Sequence, residues 1–154
     1  MATVRSRAWV AAPIGEVFAF FDDPANLGRL MPPPVSIRLD AVEPSPPEPG
    51  SIFTFSYGIG PLRRRWIVRL LEHHAPHRFV DETLSGPVAR FHHVHTFIPS
   101  RHGTWIDDEI DYRVGPGGRG GAALDWLAGW VMRATFIWRA ARQRQLLGSP
   151  AEPD

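Results

Sequence analysis

The feature that most constrains the fold is a series of strand-like segments followed by a single long helical segment. From Ser51 to Val114, runs with alternating polarity recur about every 8–12 residues and are separated by turn sequences such as GIGP and PSRHG. This spacing predicts an antiparallel meander. The helical segment, about 122–147, is the one long element available to cover the concave face of a twisted sheet. We therefore expect a cavity between sheet and helix rather than a solid core.

The segments before the meander complete the predicted order of elements. Residues Val4–Ala11 are strand-like and stop at Pro13, which suits the first turn of a helix. The stretch PIGEVFAFFDD has apolar residues at helical spacing, and ANLGRL reads as a second short helix. Val35–Val42 is a further strand. The sequence thus predicts an α+β fold with one strand, two short helices, six strands and a long C-terminal helix.

Composition limits the chemistry. At 154 residues, with 44% hydrophobic and 21% charged residues, the chain suits one globular domain. The net charge of +1 gives no reason to expect nucleic acid as a partner. Cysteine is absent, which excludes disulfides and thiolate chemistry, and all 17 basic residues are arginine, which excludes a lysine Schiff base.

The domain is expected to span residues 1–148, with 149–154 as a flexible tail. The proline-rich stretches MPPP and EPSPPEPG should be surface connections. Apolar runs long enough to span a membrane are absent from the sequence, and the N-terminal residues lack the apolar core of a secretory signal. A cytoplasmic protein is therefore the expectation.

The stretch FHHVHTF, residues 91–97, concentrates three histidines in one strand. Side chains alternate between the faces of a strand, so His93 and His95 share a face with Phe91 and Phe97, whereas His92 points the other way. If the phenylalanines face the interior, the two histidines do so too.

Neighbouring strands add other groups to the same interior face. The strand TWIDDEIDYRV is apolar on one side except for Asp108, and that side ends at Tyr112. Further polar groups come from Arg64 and Asp81, and Trp66 shares the face of Arg64. Buried charges are expensive unless they are paired, so the set requires an explanation. The candidate ligand-binding residues are Arg64, Trp66, Asp81, Phe91, His93, His95, Phe97, Asp108 and Tyr112.

Three interpretations of the inward histidines stay open. They could hydrogen-bond Asp81 or Asp108 and only satisfy a polar patch in the core. They could line a pocket in which a few polar groups converge on a ligand. A His-x-His pair with Asp81 or Asp108 could also chelate zinc, but nothing else in the sequence points to a metal, and we expect none.

The ordered segments APIGEVFAFFDDPANLGRLMPP, GSIFTFSYGIGPLRRRWIVRLLE, FVDETLSGPVARFHHVHTF and GTWIDDEIDYRVGPGGRGG resemble the START-like, Bet v 1-like superfamily. The similarity is to its polyketide cyclase/dehydrase (SRPBCC) branch, including small proteins labelled cell-division inhibitors. It implies a helix-grip fold, in which a curved seven-stranded antiparallel sheet wraps around a long C-terminal helix. It also implies a small hydrophobic molecule held beneath that helix, and it implies no defined catalytic set.

Three functions follow as hypotheses. The first is binding of a small apolar or aromatic molecule with one polar end, without a cofactor. The second is a cyclase, dehydratase or isomerase in which Asp81–His93 or Asp108–His95 forms a catalytic pair. The third is a protein-interaction module or homodimer that uses exposed tryptophans, although the four-residue spacing of Trp126 and Trp130 favours a buried helix face.

Overall fold

A computed structural model describes residues 2–115 and 119–148, and these form seven strands, two α-helices and one 3₁₀ helix. Nearly every segment expected from the sequence is present, with ends that differ by a few residues. The strands are β1 (Ala2–Val10), β2 (Val35–Glu43), β3 (Ile52–Ile59), β4 (Leu62–His74), β5 (Arg78–Ser85), β6 (Arg90–Ser100) and β7 (Gly103–Arg113), and the helices are α1 (Ile14–Asp22), the 3₁₀ helix Pro24–Leu30 and α2 (Arg119–Leu147).

The seven strands form one antiparallel sheet in the order β1-β7-β6-β5-β4-β3-β2. From β2 to β7 each strand pairs with the next along the chain, which confirms the meander. Strand β1 instead returns to β7, where Ala8 is opposite Ile106. The α+β helix-grip architecture is confirmed.

Helix α1 begins after Pro13, whose carbonyl accepts hydrogen bonds from the amides of Glu16 and Val17. Its apolar side packs on the concave face of the sheet. The ring of Phe18 lies edge-on to Phe97, with centroids 5.5 Å apart. The side chain of Asp23 accepts a hydrogen bond from the Ala25 amide and starts the 3₁₀ helix. One end of the concave face is therefore filled by aromatic side chains.

Helix α2 is anchored to the end of β7. The hydroxyl of Tyr112 donates to the backbone carbonyl of Asp125 at 2.7 Å, and the Asp125 carboxylate accepts from the Val114 amide at 2.7 Å. Gly129 permits this approach, because a Cβ at that position would lie 2.7 Å from the Tyr112 hydroxyl. The helix ends at Gly148, whose φ of +103° suits a glycine C-cap.

The outer surface of α2 differs from the expectation. Trp126 and Trp130 are 67% and 55% exposed, and their rings meet edge to face with centroids 6.2 Å apart. The buried helix face that their spacing favours is therefore wrong for these two residues. The reason is that α2 is apolar on more than one side, and its other side covers the sheet.

The apolar core falls into two clusters on the concave face. The larger one joins α1 to the middle of the sheet and includes Phe18, Phe79 and Phe97. The smaller one lies where β1 and β7 meet α2 and includes Tyr112 and Phe136. The inward histidines of β6 lie between the two clusters, since the ring of His95 stacks on Phe79 and the ring of His93 contacts Phe136.

The loops agree with the sequence where the structure describes them. Most residues of EPSPPEPG are exposed, and MPPP is partly or fully exposed. The flexible tail expected over 149–154 lies outside the described residues. Among the described residues, none of the helices is both long and apolar enough to cross a membrane.

Candidate ligand-binding site

A cavity of about 550 Å³ lies between the sheet, the N-terminal helices and α2. Its volume is in the range of small-molecule sites. Most of its wall is aromatic or aliphatic. The sheet contributes Phe53, Phe55, Tyr57, Trp66, Phe79 and Phe91, α2 contributes Leu124, Leu127, Val131, Met132 and Phe136, and the N-terminal helices contribute Phe21, Leu27 and Leu30.

The cavity opens beside the N-terminal half of α2. Leu124, Leu127 and Val131 line it and are also 47%, 56% and 62% exposed. An apolar molecule could therefore enter between α2 and the sheet without unfolding any element.

Five of the residues expected from the sequence reach the cavity wall: Trp66, Asp81, Phe91, His93 and His95. The indole of Trp66 donates to the Thr83 hydroxyl at 2.8 Å, which fixes its ring as part of the wall.

Arg64 does not reach the cavity. It shares a face of β4 with Trp66, but it is exposed near the end of the β3–β4 hairpin, which extends away from the covering helices.

Two apolar candidates belong to the packed core instead. Phe97 is 1% exposed and packs against the α1 residues Phe18 and Phe21, which fill that end of the concave face. Tyr112 is 1% exposed and holds α2 through its hydroxyl. Both point inward as expected, but neither is part of the cavity wall.

Asp108 lies behind the two histidines and does not touch the cavity itself. Its Oδ1 is 3.0 Å from His93 Nε2 and 2.9 Å from His95 Nδ1. The His95 contact lacks hydrogen-bond alignment, so we treat it as a close charge contact. On the other side, His95 Nε2 is 3.3 Å from Asp81 Oδ2. The four groups form the chain Asp81–His95–Asp108–His93.

This chain differs from the pairs considered from the sequence. Asp81 is directly opposite His93 in the β5–β6 register, but it contacts the diagonal neighbour His95. The Asp108–His95 contact is present, and Asp108 bonds His93 as well. The half-buried His92 lies on the opposite face, as alternation predicts.

The pKa values of the two histidines shift in opposite directions. Burial, aided by the charge of His95, lowers the pKa of His93 to about 4, so this ring is neutral at pH 7. Burial also opposes the charge of His95, but its contacts with Asp108 and Asp81 outweigh that effect and raise its pKa. The pKa of Asp108 is held below its usual range by both histidines despite its burial.

Arg139 of α2 also lines the cavity. Its side chain is 6% exposed, its guanidinium lies 4.8 Å from the centre of the Phe136 ring, and burial lowers its pKa. The buried Nε lacks a hydrogen-bond partner. One turn later, Gln143 is 1% exposed, and its Oε1 also lacks one. Sequence reasoning missed both residues.

Asp81, His93 and His95 are the described residues best placed to hold a metal, with one ligand atom from each within 4.8 Å of the others. Zinc requires neutral imidazoles and open lone pairs. Here His95 already contacts a carboxylate through each ring nitrogen, and its raised pKa favours the protonated form, which cannot bind a metal. These three side chains therefore fit a hydrogen-bonded network better than a metal centre. That the site holds no metal remains a prediction from the sequence.

Comparisons with known proteins agree with this architecture. The model of the family described as polyketide cyclase/dehydrase and lipid transport matches residues 10–141. No curated protein sequence matches the chain.

Solved structures share the fold at low identity. Protein Ms6760 from Mycobacterium smegmatis is 20% identical, with a TM-score of 0.68 over 94% of this chain and 90% of that one. A Rhodobacter sphaeroides protein is 18% identical, with a TM-score of 0.74 over 94% and 91%. TTHA0849 from Thermus thermophilus is 16% identical, with a TM-score of 0.65 over 94% and 99%. The chain therefore belongs to the polyketide cyclase/dehydrase and lipid transport family of the START-like, SRPBCC superfamily, whose fold binds hydrophobic ligands.

Proposed function

We propose that this protein binds a small hydrophobic or aromatic molecule with one polar end in the cavity beneath α2. The observation that carries the proposal is a cavity of about 550 Å³ with a mostly apolar wall that also includes the neighbouring polar groups Asp81, His93 and His95. Trp66 and Phe91 contact the apolar body, and Asp81, His93 and His95 orient the polar end. Such a distribution is typical of small-molecule sites.

A cavity-filling variant tests this proposal. Ala128 lines the cavity from α2, so Ala128→Phe should reduce its volume, whereas Ala134→Phe adds the same ring on the exposed side of the helix. We expect the neutral fluorescent probe N-phenyl-1-naphthylamine to bind wild type and the Ala134 variant with similar affinity. Its affinity for the Ala128 variant should be lower by a factor of about ten or more. Equal affinity in all three proteins would overturn the proposal.

Native mass spectrometry of the purified protein identifies the class of ligand. A co-purified small molecule should be present in wild type and depleted in Ala128→Phe. A co-purified molecule with equal occupancy in both would lie outside the cavity.

An enzyme of the cyclase, dehydratase or isomerase type is a second candidate, favoured because His93 and His95 line the cavity and each contacts Asp108, while His95 also contacts Asp81. Neutral His93 can donate its Nε2 proton to Asp108 and offer Nδ1 as a base, whereas both ring nitrogens of His95 already contact carboxylates. A pKa of about 4 makes His93 a weak base, because general bases work best near the operating pH. Binding is therefore the better-supported function.

Proton exchange separates an enzyme from a binding protein. An enzyme should accelerate deuterium incorporation next to the carbonyl of an aromatic ketone such as 1-tetralone in D₂O. The acceleration should disappear in His93→Gln. Exchange at the buffer rate in the presence of bound ketone would exclude this chemistry for that substrate.

A homodimer through α2 is also proposed, on the basis of the exposed pair Trp126 and Trp130. Light scattering should show a concentration-dependent dimer in wild type and a monomer in the Trp126→Ser/Trp130→Ser variant. A wild-type protein that stays monomeric at all concentrations would contradict the proposed homodimer.

A further inference from the structure

Arg139 is an unusual component of an apolar cavity wall. It is 6% exposed and aliphatic or aromatic residues surround much of the cavity it lines. Neither a hydrogen bond nor an ion pair joins its guanidinium to another residue in the described parts of the chain. A buried charge without a partner is destabilising, so its presence calls for a partner outside the described residues.

Two nearby carboxylates, the buried Asp108 and the partly buried Asp81, do not fill that role. The charges of Asp108 and Asp81 act on Arg139 from a distance. Asp108 contacts both histidines, and Asp81 contacts His95, so each carboxylate already has an imidazole partner. The ring of Phe136 holds the guanidinium on one side through a cation–π contact but offers no hydrogen-bond acceptor.

The chemistry of arginine restricts what the partner can be. Its guanidinium only donates hydrogen bonds, so the partner must accept them. The fork of the guanidinium matches the two oxygens of one carboxylate. A phosphate carries more charge than one arginine neutralises, and Asp81 and Asp108 would repel the excess.

We propose that Arg139 binds the carboxylate of the ligand, and that the ligand is consequently a monocarboxylic acid with an apolar body, such as a medium-chain fatty acid or an aromatic acid. This inference rests on the proposed binding function and specifies its polar end. The carboxylate lies against the Arg139 guanidinium on the Phe136 side of the cavity, and the apolar body extends toward Phe53, Phe55 and Trp66.

A competing structural explanation exists within α2. Gln143 follows one turn after Arg139, and its Oε1 could accept a hydrogen bond from the guanidinium after a small side-chain rotation. In that case Arg139 would stabilise the free protein and would have no role in ligand choice. The two explanations predict different behaviour of the same variants.

The test uses two probes of equal chain length, decanoate and 1-decanol, in competition with N-phenyl-1-naphthylamine on protein stripped of bound lipid. In wild type, decanoate should displace the probe at concentrations about 10- to 100-fold lower than 1-decanol, the range for a charge-assisted hydrogen bond. Arg139→Met should bind both probes equally, at the wild-type affinity for 1-decanol. Arg144→Met, an exposed arginine of the same helix, should keep the wild-type preference.

Thermal unfolding supplies a second readout. Without ligand, Arg139→Met should be at least as stable as wild type, because it removes an unpaired buried charge. Decanoate should raise the melting temperature of wild type more than that of Arg139→Met. Should the methionine variant fail to fold, Arg139→Lys, which keeps the charge without the fork, should show a reduced preference for decanoate.

Two results would overturn the inference. Wild type could bind 1-decanol as tightly as decanoate, or Arg139→Met could retain the preference for decanoate, whether or not it loses stability. In each case the protein still binds apolar molecules, and the proposed function survives. If wild type binds neither probe nor N-phenyl-1-naphthylamine, the proposed function itself fails.

Discussion

His93 and His95 lie two residues apart on β6 with ring centroids 3.7 Å apart, yet their surroundings shift the pKa values of the two rings in opposite directions. Two imidazolium rings at this distance would repel each other in a buried site. Asp108 touches both rings, but Asp81 touches only His95, so His95 has the more acidic surroundings and its pKa is the one that is raised. This asymmetry gives the two histidines opposite effects on the pH dependence of stability.

We expect His93→Gln to reduce the acid sensitivity of folding. The pKa of His93 is lowered from 6.5 to about 4 in the folded protein. Between these pH values the unfolded chain binds a proton that the folded chain does not, so stability falls as the pH decreases, by at most about 1.4 kcal/mol per pH unit. Urea unfolding across this window should show a shallower decline for the variant. A decline as steep as that of wild type would contradict the assignment.

We expect His95→Gln to show the opposite dependence. Because the folded pKa of His95 is raised above 6.5, its charged form stabilises the protein below 6.5, and this contribution is lost as the pH rises through the folded pKa. The stability deficit of the variant should therefore shrink with increasing pH. His92→Gln, on the opposite face, is the control and should change stability by less than about 0.5 kcal/mol. A deficit that grows with pH would reverse our charge assignment.

Asp108 should be the most sensitive carboxylate of β7. It is 4% exposed and is in contact with both histidines, so Asp108→Asn leaves the charge of His95 less well compensated. Breaking a buried pair typically costs about 3–5 kcal/mol. The adjacent Asp107 forms an exposed ion pair with Arg7 at 2.6 Å, and Asp107→Asn should cost about 1 kcal/mol or less. Chemical denaturation measures the unfolding free energy of both variants. Equal losses of stability would show that the contacts of Asp108 with the histidines do not stabilise the fold.

Gly129→Ala should weaken the attachment of α2 to β7. The added methyl would lie 2.7 Å from the Tyr112 hydroxyl, which donates to the Asp125 carbonyl. We expect a loss of about 1–3 kcal/mol from this overpacking. Gly15→Ala in α1 meets no atom within 4 Å of its new Cβ in the described structure and should stabilise the protein by up to about 1 kcal/mol. A neutral or stabilising Gly129→Ala would contradict the anchoring role of Tyr112.

The sheet and the orientation of its histidines could be predicted from the sequence because strands have a period of two. Alternation places His93 and His95 on the same face as Phe91 and Phe97, whatever the register of β6 with its neighbouring strands. The partners of each histidine could not be derived in the same way. Asp81 is opposite His93 but contacts His95, and this choice depends on side-chain rotamers rather than on strand position.

The helix contribution to the site was not predictable from its pattern. Helix α2 contains five arginines spread around an apolar helix, so its polarity does not mark one buried face. Arg139 is buried and Arg144 is exposed because the two residues are five positions apart and lie on different sides of the helix. Arg64 was expected in the cavity but is exposed. It is on the same face of β4 as Trp66, but it lies beyond the area that the helices cover.

The order of the strands also determines when the site can exist during folding. Each hairpin from β2 to β7 joins strands that are adjacent in the chain, whereas the β1–β7 pairing brings together residues as far apart as Thr3 and Asp111, 108 positions away. Contacts at such separation carry the largest loop-closure entropy and form late. Until β1 docks, the strand that holds Asp108 is an edge with access to water. We therefore expect its carboxylate to stay hydrated while the hairpins assemble, and the charged network to lose its water only when β1 and the covering helices dock.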